Sequence, residues 1–105
     1  MAQLNVEMID NSARIELPEV FDYYLMEKFL NSSKTLSECE SIVIDFKHTK
    51  YIDSPAIATL FRLRELVKER DCIKIININR NIYDLLTITG YVGLLGKDNF
   101  DNITA

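Results

Sequence analysis

The apolar run at residues 42–46, Ile-Val-Ile-Asp-Phe, constrains the fold of this chain more than any other feature. β-Branched and aromatic residues favour a strand, and so continuous a run is typical of a strand covered on both faces. A second isoleucine-rich run lies at residues 72–77, and a helical pattern from residue 55 to 70 separates the two. Strands joined through a helix pair in parallel, so residues 42–46 should form a central strand of an α/β sheet.

Shorter patterns complete the predicted order β-β-α-β-α-β-α. Polar and apolar residues alternate on either side of the turn residues 10–12, which predicts an antiparallel hairpin. A helix with Asp22 as its cap should follow, since apolar residues recur at helical spacing at Leu25, Met26, Phe29 and Leu30. A last helix should span about residues 80–89, with Gly90 as its C′ residue and only a short flexible tail beyond. We therefore expect a mixed sheet of four or five strands with helices, in a single domain spanning residues 1–105.

Composition limits the partners of such a domain. Sixteen Asp and Glu residues against twelve Lys and Arg give a net charge of −4, which repels nucleic acid and anionic lipid headgroups. The chain shows neither a secretion signal nor a membrane-spanning run, so we expect a cytoplasmic protein without membrane insertion. Cys39 and Cys72 lack metal-site spacing and should be reduced structural thiols.

Catalytic motifs are scarce. The single histidine, His48, stands between lysines and is expected to be a solvated surface residue rather than a general base for Ser54 or Cys39. No glycine precedes Gly90, which excludes a phosphate-cradling loop, and no cofactor is expected. Asp45 is interpreted as a strand residue and Asp53 as a turn residue, not as metal ligands. The chain is predicted not to be an enzyme.

The most informative segment is Asp53-Ser54-Pro55, at the start of the second helix. Ser54 is a good N-cap and Pro55 a good first helical residue. In that geometry the N–H groups of Ala56 and Ile57 would be free to receive a phosphate on Ser54.

The helix that follows carries more apolar residues than one buried face requires. A stripe facing the sheet is predicted at Ala56, Leu60, Leu63 and Val67. Ile57 and Phe61 lie beside this stripe, and Arg64 continues their row. Either these residues form a docking patch rimmed by positive charge, or they widen the core stripe.

Taken together, these segments resemble the STAS family, the domain of bacterial anti-sigma-factor antagonists and of the cytoplasmic tails of sulphate transporters. The resemblance rests on residues 42–46, on Tyr51-Ile52-Asp53-Ser54 opening a helix, on the strand at 73–76, and on residues 85–90. Phe21-Asp22-Tyr23 also looks like the family's aspartate-containing turn, which lies near the phosphoacceptor. The family usually has a small residue in place of Pro55 and commonly glycine in place of Ala56 and Ala58, and its last helix should be absent or reduced to a strand-like tail.

The resemblance implies an anti-sigma-factor antagonist in a partner-switching pathway that regulates transcription. Ser54 would be the phosphoacceptor, and the partner-binding residues would be Asp22, Asp53, Pro55, Ile57, Phe61 and Arg64. An anti-sigma factor that is also a serine kinase would bind the unphosphorylated form and release the phosphorylated one, and a phosphatase would reset the switch. The alternative is a non-catalytic STAS subunit of a larger complex, such as a lipid-transporter or stress-sensing assembly.

Overall fold

The structure, a computed structural model, describes residues 5–22, 28, 36, 38–67 and 70–105. Its elements, in chain order, are β1 (Asn5–Ile9), β2 (Ser12–Glu16), β3 (Val20–Phe21), β4 (Ser41–Asp45), β5 (Tyr51–Ile52), α1 (Ser54–Leu66), β6 (Ile73–Ile76), α2 (Arg80–Ile88), α3 (Tyr91–Leu95) and β7 (Phe100–Asp101). None of these helices combines the length and apolar character needed to cross a lipid bilayer. The helix predicted after Asp22 lies outside the described residues.

The described strands form a five-stranded mixed sheet in the order β1-β2-β4-β6-β7, with a separate two-stranded sheet of β3 and β5. The predicted hairpin is confirmed, since β1 and β2 pair antiparallel. β4 is the middle strand, parallel to β2 on one side and to β6 on the other. The α/β class and the central position of residues 42–46 are therefore confirmed.

Within the described residues, one face of the sheet is buried across β2, β4 and β6 and the other is more open, so the prediction that β4 is covered equally on both faces is wrong. Ile42 and Ile44 are fully buried, whereas Val43 is only half-buried. Val43 lies on the open face between Arg14 of β2 and Lys74 of β6, which are its register partners. Long charged side chains cover apolar neighbours with their stems, so a valine can be half-buried between them.

Asp45 also belongs to the open face, yet its side chain is fully buried. The guanidinium of Arg14 lies over it at 2.7 Å, and the backbone N–H of Lys47 and the amide of Asn77 also donate to it. The interpretation of Asp45 as a strand residue is confirmed, and its carboxylate is held by an ion pair across two strands.

The segment after Gly90 is ordered structure, and the prediction of a flexible tail is wrong. Gly90 does end α2 with a left-handed φ of 92°, as the pattern predicted. The chain then forms α3 and a 3-10 turn before β7, which pairs in parallel with β6. Tyr91 and Leu95 are fully buried, so this segment adds to the core.

Candidate functional site

Two short parallel strands build one side of the site. β3 and β5 pair with Phe21 opposite Ile52, and both of these side chains are buried. Asp22 directly follows β3 and Asp53 directly follows β5, so both aspartates stand at the carboxyl ends of neighbouring strands. Neighbouring strands lie about 4.8 Å apart, so the pairing brings the two aspartates to one edge. The resemblance implied this proximity of Asp22 to the start of the helix.

Asp53 is the N-cap of α1, and the prediction that Ser54 caps the helix is wrong. Asp53 has an extended backbone, with φ −105° and ψ 175°, and its side-chain Oδ1 accepts a hydrogen bond from the N–H of Ala56 at 2.9 Å. Aspartate caps helices as well as serine does, and it stands one residue earlier. Ser54 is consequently the first helical residue and Pro55 the second, where a missing N–H still costs no helical hydrogen bond.

The same geometry overturns the expectation that two N–H groups are free to receive a phosphate. The N–H of Ala56 donates to the Asp53 carboxylate, and the N–H of Ile57 donates to the Asp53 carbonyl oxygen at 3.0 Å. Pro55 has no N–H. A phosphate on Ser54 would therefore project away from these backbone donors toward solvent.

Ser54 begins a row of exposed residues along α1. Ala58 and Arg62 follow at intervals of four residues, and all three are exposed. Residues four apart lie on one face of a helix, so this row is the solvent face beside the serine. Sequence reasoning missed Ala58 and Arg62 as surface residues of the site, although their spacing from Ser54, away from the apolar stripe, was a usable signal.

The predicted core stripe is confirmed, and the residues beside it are also largely buried. Ala56, Leu60 and Leu63 are fully buried, and Ile57 is 8% exposed. Phe61 packs edge-on against Tyr91, with ring centroids 5.1 Å apart. Of the two interpretations of Ile57 and Phe61, burial favours the wider core stripe.

Arg64 is half-buried near the same aromatic pair, and its Nε lies out of contact with solvent. Burial raises the pKa of Tyr91 well above its usual value, and the positive charge of Arg64 opposes that rise. Arg64 therefore lies in the last turn of α1 and packs toward the core. The exposed basic residue in the row that begins at Ser54 is Arg62.

The chemistry available at this edge is that of an exposed hydroxyl beside two carboxylates. No group of three or more His, Cys, Asp or Glu side chains is arranged to hold a metal within the described residues. His48 is exposed, as predicted, and its Nε2 lies 3.2 Å from Glu16 Oε1. The arrangement at Ser54 suits a group that another protein modifies or recognises.

A family model describes this architecture. The model for the STAS domain matches residues 4–103, nearly the whole chain. This chain belongs to the STAS family. The expectation drawn from the sequence motifs is thus confirmed, and the five-stranded mixed sheet with its helices is the fold of this STAS domain.

Solved structures similar to this STAS domain include a transporter-family protein and an anti-sigma factor antagonist. A sulfate transporter family protein from Wolinella succinogenes has a TM-score of 0.76 at 12% identity, over 92% of this chain and 81% of that chain. An anti-sigma factor antagonist from Mycobacterium paratuberculosis has a TM-score of 0.75 at 13% identity, over 89% of this chain and 81% of that chain.

A third similar structure is SpoIIAA, a cell fate determinant of Bacillus, in its phosphorylated form. Its TM-score is 0.68 at 12% identity, over 94% of this chain and 90% of that chain. SpoIIAA, an anti-sigma factor antagonist, has also been solved unphosphorylated. No curated protein matches this STAS domain in sequence. At these identities the structural likeness shows the fold alone.

Proposed function

We propose that this STAS domain is an anti-sigma-factor antagonist that binds an anti-sigma factor with serine-kinase activity and releases it when Ser54 is phosphorylated. The proposal makes the chain a non-catalytic, cytoplasmic binding module, which a phosphatase returns to its binding form. Similarity to anti-sigma factor antagonists, one of them solved with and without its phosphate, supports this function.

One observation supports the proposal above the others. The hydroxyl-bearing residue at the start of α1 is exposed, and the N–H groups of Ala56 and Ile57 already donate to Asp53. A phosphate there gains no new hydrogen bond from the N–H groups of Ala56 and Ile57. Its charge is therefore presented to a protein that covers this edge.

The covalent step needs the partner kinase and ATP, with the magnesium ion that the kinase holds on the phosphates. The Oγ of Ser54 attacks the γ-phosphorus, the bond between that phosphorus and the β,γ-bridging oxygen breaks, and ADP leaves. The hydroxyl proton passes to a base of the kinase. The products face one another across the interface, with a new phosphate on Ser54 opposite the β-phosphate of ADP, so like charges are brought together.

Phosphorylation of Ser54 should change the affinity for the partner much more than the stability of the fold. A phosphate adds about −1.5 to −2 charges, and at a helix N-terminus it is stabilised by about 0.3 to 1 kcal/mol. Repulsion from Asp53 offsets part of this gain. Like charges juxtaposed in an interface cost several kcal/mol, and each ~1.4 kcal/mol is tenfold in affinity, so a switch of about a hundredfold or more is expected.

The test compares substitutions at Ser54 for binding to a serine kinase recovered from the host. Immobilised Ser54→Ala protein captures the kinase, which is identified by transfer of phosphate from labelled ATP to Ser54 of the wild type. Ser54→Asp should lose this partner while Ser54→Ala retains it, with both variants equally stable.

Ser12→Asp is the matched control, because Ser12 is exposed at the turn between β1 and β2, at the opposite end of the sheet. It adds the same charge and should leave binding unchanged. Equal binding by Ser54→Asp and Ser54→Ala would remove Ser54 from the mechanism. That result, with a membrane transporter as the co-purified partner, would support a fixed STAS subunit of a larger complex.

A further inference from the structure

The two-stranded sheet of β3 and β5 presents an apolar pair to solvent beside Ser54. Val20 and Tyr51 are register partners, and 37% of Val20 and 56% of Tyr51 are exposed. Their neighbours Phe21 and Ile52 point to the opposite, buried face. A tyrosine more than half exposed next to an exposed valine is an apolar feature that packing among the described residues does not explain.

The pair is close enough to Ser54 for one partner to cover both. Tyr51 precedes Ser54 by three residues, and the backbone between them is extended at Ile52 and Asp53, so the two lie within about 10 Å. A standard interface buries about 800 Å² on each protein, which corresponds to a disc of roughly 16 Å radius. A kinase docked over Ser54 with an interface of that size therefore also covers Val20 and Tyr51.

We infer that Val20 and Tyr51 are the apolar anchor with which this domain holds its serine kinase, an inference that rests on the proposed function. Tyrosine is enriched among the residues that dominate binding energy, because it buries a large rigid ring at little entropic cost. The partner should offer an apolar pocket about 10 Å from its catalytic centre. The apolar pair determines the affinity for the kinase, and the charge of the phosphate on Ser54 determines its release.

The apolar pair and Ser54 lie at opposite ends of this surface, with the two aspartates between them. Tyr51 and Asp53 lie on one side of an extended segment, so the apolar pair gives way to the acidic pair Asp22 and Asp53, and then to Ser54. Phosphorylation adds charge at the acidic end and leaves the apolar end unchanged. Substitutions at Tyr51 should therefore change affinity without changing the rate of phosphoryl transfer within the complex.

The experiment uses the purified kinase that phosphorylates Ser54, with ATP as the second substrate. Tyr51→Ala should raise the dissociation constant, and the KM for phosphorylation, by about tenfold or more, while kcat at saturating STAS domain stays unchanged. Tyr51→Phe should bind like the wild type, since it keeps the ring, and Val20→Ala should show a smaller loss than Tyr51→Ala.

Ile9→Ala is the matched control, because Ile9 is 62% exposed and lies at the end of the sheet opposite Ser54. Circular dichroism melts establish that all variants are folded. If Tyr51→Ala binds as tightly as Ile9→Ala while Ser54→Asp still loses the kinase, the anchor is refuted and the proposed function stands. If no kinase that phosphorylates Ser54 is recovered, the apolar anchor and the proposed function are both contradicted.

Discussion

Replacing Asp53 with alanine tests which residue caps α1. The substitution removes the carboxylate that accepts the N–H of Ala56 at 2.9 Å. Loss of an N-cap costs about 0.5 to 2 kcal/mol, and loss of a negative charge at a helix N-terminus about 0.3 to 1 kcal/mol. We expect Asp53→Ala to lower the free energy of unfolding by about 1 to 2 kcal/mol, which in a domain of this size lowers Tm by roughly 5 to 15 °C.

The assay is urea and thermal denaturation followed by circular dichroism, with two comparison variants. Asp53→Asn keeps the hydrogen-bond acceptor and loses the charge, so it should fall between wild type and Asp53→Ala. Ser54→Ala should unfold like the wild type, because Ser54 is the first helical residue and not the cap. A Ser54→Ala protein destabilised by about 1 kcal/mol, beside an Asp53→Ala protein as stable as wild type, would show that Ser54 and not Asp53 caps the helix.

Three further predictions concern the rest of the domain. Asp45→Ala should destabilise by about 1 to 3 kcal/mol and Arg14→Ala by less, measured by urea denaturation, because Asp45 is fully buried with several donors whereas Arg14 is 46% exposed. Equal losses would contradict this assignment. Burial, reinforced by the negative charge of Glu38, raises the pKa of Cys39, so less thiolate is present at pH 8. Iodoacetamide should therefore modify Cys39 of the native protein more slowly than free cysteine, and faster as pH rises, as followed by mass spectrometry; a rate equal to that of free cysteine would overturn the prediction. Gly90→Ala should destabilise by about 1 kcal/mol because of its left-handed φ, while Gly93→Ala, inside α3 with open space for a Cβ, should be neutral or stabilising; thermal melts in which both glycines behave alike would contradict this.

Local patterns accounted for most of the fold. The hairpin, the central strand and the buried stripe of α1 each depend on alternation or helical spacing within a short segment. Those signals reflect which side of one element is apolar. They do not identify what lies above that side.

The open face of the sheet is one feature that local sequence patterns did not predict. The run Ile42, Val43, Ile44 predicts cover on both sides, yet Val43 stands between the side chains of Arg14 and Lys74, which come from other strands. The segment from Tyr91 to Phe100 was missed for a similar reason. Its helix is a single turn and its strand only two residues long, so its order depends on packing against distant residues.

Some features of the candidate site could be predicted from local sequence patterns, and others could not. Ser54 at the start of a helix could be recognised from the sequence, but choosing between adjacent Asp53 and Ser54 as the cap required the backbone geometry. The pairing of Val20 with Tyr51 joins residues thirty-one positions apart through strands of two residues. No periodic pattern can mark strands that short, so the apolar pair beside Ser54 became visible only in the fold.

The most direct test is the affinity of wild-type protein for its recovered kinase before and after stoichiometric phosphorylation of Ser54. Isothermal titration calorimetry in the presence of ADP gives both dissociation constants, and thermal melts of the two forms give their stabilities. Phosphorylation of Ser54 should weaken binding by about a hundredfold or more and leave the melting temperature nearly the same. Unchanged affinity, or a loss of affinity that arises because the phosphorylated protein unfolds, would contradict this prediction.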